Sequence, residues 1–240
     1  MDFIPDTYHY LAINLLTIAY PLAQSYERRL RFLANWKAIF TAIAISGGIF
    51  LAWDELFTRL SVWGFNERFL TGFYIGELPI EEFGFFLTVP FACLFVYEVL
   101  NYYIPQDILG KYSRGIGWFW LLSTIILGVY FYPRLYTSTC LFFSAGVLSY
   151  VLFVVKPNWL GRFFLTYMVC LIPMAFVNGW LTGGFTDEPI VWYNDSENMG
   201  IRLGSIPFED FIYQLAYLLL VVTIYNRNRK REQVSLYNRP

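Results

Sequence analysis

Charge is scarce in this sequence: 15% of the 240 residues are Asp, Glu, Lys or Arg, while 57% are hydrophobic. A water-soluble domain carries about 25% charged residues, so composition argues against a fold closed in water. Histidine occurs once, as His9, and cysteine three times, at Cys93, Cys140 and Cys170. The cysteines stand inside apolar stretches without metal-ligand spacing and read as small buried residues. His9, near the N-terminus, reads as an interfacial residue with no catalytic role. No glycine-rich dinucleotide fingerprint or P-loop occurs, and GKYSRGIG at residues 110–117 lies in a short basic connection. Metal, nucleotide and nucleic-acid chemistry are set aside, and no cofactor is expected.

What the chain has in abundance is aromatic and aliphatic surface, with 8 Trp, 19 Tyr and 24 Phe. Several apolar runs reach the roughly 18–20 residues needed to cross a hydrocarbon core. The expected fold is an all-α integral membrane protein. Seven transmembrane helices are predicted near residues 8–26, 37–57, 81–101, 116–133, 136–155, 162–182 and 208–226. The opening MDFIPDTYHY has no basic stretch and no small-residue cleavage site, so the first run is expected to be retained as a helix. Arg28, Arg29, Arg31, Lys37, Lys111, Arg114, Lys156, Arg162 and the basic tail after residue 226 fall on one side if the spans alternate. That side is expected to be cytoplasmic, with the N-terminus outside and the C-terminus inside, in the cell membrane. The tail itself is expected to fray at the membrane surface.

The sequence also repeats. Shifted by 128 positions, Leu78-Pro79-Ile80-Glu81-Glu82-Phe83 falls on Ile206-Pro207-Phe208-Glu209-Asp210-Phe211. At the same offset Phe65-Asn66 meets Tyr193-Asn194, and with a small shift Asp54 meets Asn178. Spans one to three thus correspond to spans five to seven, with span four as connector, a 3+1+3 parallel internal repeat. The expected units are residues 1–103, a connector 104–135, residues 136–226 and a basic tail 227–240. Both acidic pairs then lie at one end of the bundle and face a shared interior.

Two readings of these pairs compete. Proline before a helix and acids in its first turn are ordinary helix-start chemistry, and duplication would preserve a good cap. Against this, adjacent residues point about 100° apart on a helix, so one acid of each pair can face packed aromatics. Asp54 adds a third acid at the same depth, and ionisable groups inside a membrane protein are functional candidates by default. The candidate acids are Glu81, Glu82, Glu209, Asp210 and Asp54. Trp53 next to Asp54, Phe83 and Phe211 next to the acidic pairs, and Asn66 and Asn194, which meet in the repeat, are the candidate substrate contacts. Without a nucleotide or metal signature, the remaining options are proton chemistry on an apolar substrate, or transport.

The stretch FLAWDELFTRLSVWGFNERFLTGFYIGELPIEEFGFFLTVPFACLFVYE, residues 50–98, resembles the membrane lycopene cyclases of the heterodimeric and fused type. The second half, with VWYN and PFEDFIY, is similar to the partner subunit, so the chain resembles two small subunits joined in one. The resemblance implies a non-redox isomerase that turns the open ψ end groups of lycopene into β rings. It carries the Pro-x-Glu-(Glu/Asp) motif onto Glu81, Glu82, Glu209 and Asp210. The implied partners are the carotenoid, the bilayer and neighbouring carotenoid enzymes. A small-solute transporter with parallel three-helix repeats is the alternative, because Ser46-Gly47-Gly48 and Pro173 interrupt mid-span positions. A retinal receptor is disfavoured, because no lysine lies within the last span to form a Schiff base.

Overall fold

The structure, a computed structural model, describes residues 4–229. Seven α-helices account for most of them: α1 (His9–Gln24), α2 (Trp36–Arg59), α3 (Ile80–Tyr103), α4 (Ser113–Tyr130), α5 (Leu135–Ser149), α6 (Leu160–Leu181) and α7 (Phe208–Asn228). A π-helical turn, Tyr150–Val155, prolongs α5. Five helical stretches are long and apolar enough to cross a membrane: Phe32–Arg59, Ile80–Tyr103, Leu135–Val155, Leu160–Leu181 and Phe208–Asn228. Helices α1 and α4 stand where spans were predicted but are not among these five. At 16 residues, α1 reaches only about 24 Å, and Pro21 lies within its last turn.

The loops between helices hold short ribbons that hydropathy does not reveal. β2 (Tyr74–Ile75) and β3 (Leu78–Pro79) form a hairpin ahead of α3, and β5 (Arg202–Leu203) and β6 (Ile206–Pro207) form its counterpart ahead of α7. Each turns through a two-residue loop whose first member is a glycine at positive φ, Gly76 at +68° and Gly204 at +65°. An L side chain is strained there. Between the halves, β1 (Trp63–Phe65) pairs antiparallel with β4 (Val191–Tyr193), Gly64 facing Trp192. Those two residues are 128 apart, so the ribbon is centred on a repeat-related pair. The flanking bonds obey the same offset: Asn66 N donates to Ile190 O at 2.8 Å, and Asn194 N to Val62 O at 2.9 Å.

Helix packing repeats in the same sense. α1 lies along α3 as α5 lies along α7, and α2 meets α7 as α6 meets α3. α7 is the most buried of the membrane-length helices and is tied to α3 by Tyr217, whose hydroxyl donates to Phe86 O at 3.1 Å. In lipid, such contacts rest on close packing and interhelical hydrogen bonds, not on removal of apolar surface from water. At the far end from the ribbon, Arg229 pairs with the buried Glu98 at 2.9 Å. The beginning of the expected frayed tail is therefore anchored, while residues 230–240 lie outside the described residues.

Candidate active site

The hairpin before α3 delivers Pro79 as the residue preceding the helix, and the first turn then carries Glu81 and Glu82. Their angular separation divides their tasks. Glu81 turns back to its own loop, where Oε1 accepts from Thr71 N at 2.8 Å and from Thr71 Oγ1 at 2.6 Å. Glu82 turns inward and accepts a hydrogen bond from the Tyr10 hydroxyl on α1. On α7, Glu209 Oε1 accepts from Met199 N at 2.6 Å and from Thr137 Oγ1 at 2.5 Å. Asp210 Oδ1 accepts from the Tyr136 hydroxyl on α5 at 2.6 Å. Thr71 and Met199 are 128 apart and Tyr10 and Tyr136 are 126 apart, so the two arrangements are counterparts.

The inward acids meet. Glu82, Asp210 and Asp54 all line one predominantly apolar cavity, and each is almost fully buried, at 7%, 4% and 4% exposure. Trp63 and Phe65 of β1, with Val191 and Tyr193 of β4, line the same cavity from the loop side. Phe85, Phe86 and Tyr213 supply further aromatic wall.

The environments of the three acids differ. Asp210 is held by three donors: Tyr136 on Oδ1, and on Oδ2 both Asn178 Nδ2 and the Tyr193 hydroxyl, each at 3.2 Å. Asp54 stands where the second half has Asn178. Its Oδ1 accepts from Trp63 Nε1 at 2.5 Å, its Oδ2 meets no donor among the described residues, and its carboxyl adjoins that of Glu82. Tyr193 lies on the ribbon outside the helices. Burial first, and then the Asp210 carboxyl, push its phenol well above the ordinary value. It stays protonated and works as a donor.

Of the residues expected from sequence, the structure brings Glu82, Asp210 and Asp54 together and leaves Glu81 and Glu209 outside the cavity wall. None of the five expected substrate contacts lines the cavity. Asn66 and Asn194 build loops instead, their Oδ1 atoms accepting from Arg68 N and Ser196 N, each at 3.1 Å. Trp53 is packed against Phe50, Phe143 and Tyr213. Phe83 and Phe211 follow the inward acids by one residue, and that step rotates them out of the wall. His9, expected at the interface, is 4% exposed and accepts from Trp180 Nε1 at 3.3 Å. The residues that sequence reasoning passed over are Tyr10, Tyr136 and Tyr193. The first two carried a usable signal, since they stand at nearly the repeat offset.

Membrane-length helices enclosing carboxyl groups in an apolar, aromatic-walled cavity define a membrane protein suited to exchanging protons with an apolar molecule. The sequence model of one family, described as Lycopene cyclase, matches residues 7–100 and 133–227. The chain belongs to the lycopene cyclase family. The two matched stretches are the repeated ones, and α4 lies in the interval between them. No curated protein matches the chain, nor does any solved structure. Membership assigns carotenoid cyclisation on a carotenoid substrate and lends no support to a transporter.

Proposed function

We propose that this protein is a lycopene β-cyclase, an isomerase in which two subunit-like halves fused in one chain build a single composite site. The observation that carries this reading is the presence of Glu82 and Asp210, one from each repeat, in the same apolar cavity. The reaction needs a proton delivered and a proton removed, without a net change of charge or oxidation state. An acid protonates C2 of the terminal C1–C2 double bond, leaving a tertiary cation at C1. The C5–C6 double bond attacks C1, forming the C1–C6 bond and moving the cation to C5. A base then takes the proton from C6, leaving the C5–C6 double bond of a β ring.

The Glu82–Asp54 pair suits the acid role, since two adjoining carboxyl groups hold a proton between them more readily than two charges. Asp210 suits the base role, because three hydrogen-bond donors hold its oxygens as a carboxylate is held. Phe85, Phe86, Trp63 and Tyr213 line the cavity, and aromatic rings beside a passing cation lower its energy. The β1–β4 ribbon keeps water from the C5 cation, which water would convert to an alcohol. Under this reading α1 and α4 complete seven spans in a 3+1+3 parallel arrangement, with the acids at the extracytoplasmic rim of the cell membrane and the basic loops inside.

Expression in bacteria that accumulate lycopene, followed by chromatography of the pigments, tests the activity. Cyclised carotenoid of unchanged mass is expected. Lycopene left intact beside folded, membrane-inserted protein would overturn the reading.

A further inference from the structure

The internal repeat should produce two equivalent arms leading away from the composite site, and the structure keeps only one of them open. The cavity runs down α3 from Glu82 to Val96, a drop of 14 residues or about 21 Å. Along the way it is walled by Thr17 of α1 and by Cys170, Pro173 and Met174 of α6. Pro173 is exposed, and Thr17, Ala92 and Val96 are partly exposed, so this wall is breached on the bundle's lipid-facing side. The counterpart arm would lie between α5 and α2. There Phe143 stands at the position of Thr17, Phe50 at that of Met174, and Trp53 at that of Val177. Their rings pack against one another with centroids 5.2–5.6 Å apart, and none of the three lines the cavity.

We propose that the open arm between α1, α3 and α6 is the channel for the polyene chain, entered sideways from the bilayer, and that the Phe50–Trp53–Phe143 cluster seals its twin. The inference rests on the cyclase reading for the nature of the occupant. The geometry argues for this occupant: the arm is apolar, continuous with the acids, and long in one direction. One open arm admits one end of one substrate molecule. A second ring therefore requires the half-cyclised molecule to withdraw, turn round and re-enter.

The test compares two substrates. Ala92 lies 10 residues below Glu82, about 15 Å along the helix, so Ala92→Phe blocks the channel well away from the acids. Lycopene should be cyclised at less than one tenth of the parent rate. A ψ-ended apocarotenoid too short to reach Ala92 should be cyclised at the parent rate. Thr17→Phe, which installs the residue of the sealed arm, should again slow lycopene at least tenfold. Equal loss of both substrates in Ala92→Phe would overturn the channel, as would undiminished lycopene turnover in both variants. A parent that cyclises neither substrate would overturn the cyclase reading itself, and the channel with it.

Discussion

Replacing Glu82 by glutamine, or Asp210 by asparagine, should each suppress formation of the β ring, with turnover to that product falling on the order of 100- to 10,000-fold. Both amides keep the shape of the side chain they replace. The amide oxygen of Glu82→Gln can still accept from Tyr10, so the change is in proton chemistry, not in packing. If the halves held independent sites, either variant would retain about half the parent activity, and monocyclic carotenoid would still accumulate. In a composite site neither variant makes even the first β ring. The two failures should also differ. Glu82→Gln leaves lycopene untouched, whereas Asp210→Asn forms a cation that its base no longer quenches. Any hydrated or double-bond-shifted ring should therefore appear in Asp210→Asn. The measurement is chromatography with mass analysis of products from purified variants, normalised to the amount of folded protein.

The second large effect falls on stability and concerns the other acid of each pair. Glu81 and Glu209 are 2% and 0% exposed, and each satisfies two donors that its own helix does not supply. Truncation to Ala leaves those buried and part-buried donors without their acceptor, at a cost of about 2–4 kcal/mol. For a chain of this size, that is a fall in thermal midpoint of about 5–15 °C. Glu81→Ala and Glu209→Ala should show it as earlier loss of monodisperse protein in detergent on heating. The fraction still folded should keep more activity than Glu82→Gln or Asp210→Asn. Complete loss of turnover in fully folded Glu81→Ala would move the chemistry to the loop-facing acid.

Much of this arrangement was legible in the sequence, for identifiable reasons. Apolar runs bounded by breakers place all seven helices, and the Pro79 and Pro207 motifs locate the two helix starts that carry acid. The repeat predicted that both pairs face one interior, and one member of each pair, Glu82 and Asp210, reaches it. Which member of a pair turns inward was not legible. Lipid-facing and core-facing positions are both apolar in a membrane helix, so periodicity gives little sense of rotation. Tertiary packing sets that rotation, and it places Glu82 and Asp210 inside while Phe83 and Phe211 turn away. The roles of Asn66 and Asn194 were misleading for a different cause: recurrence in the repeat marks a shared loop geometry as readily as a shared ligand. The sealed arm escaped notice because Phe143, Phe50 and Trp53 gain meaning only when set against Thr17, Met174 and Val177 across the repeat.

The central claim is that a protein carboxyl starts the reaction by giving its proton to the end group. It is tested most directly by a single turnover in D2O, with purified enzyme equilibrated in D2O before lycopene is added. The acid then carries deuterium, C2 gains it, and C6 releases ordinary hydrogen, so each ring closed should add one deuterium to the carotenoid. Cyclised product without deuterium, or a product heavier by the elements of water, would contradict the account.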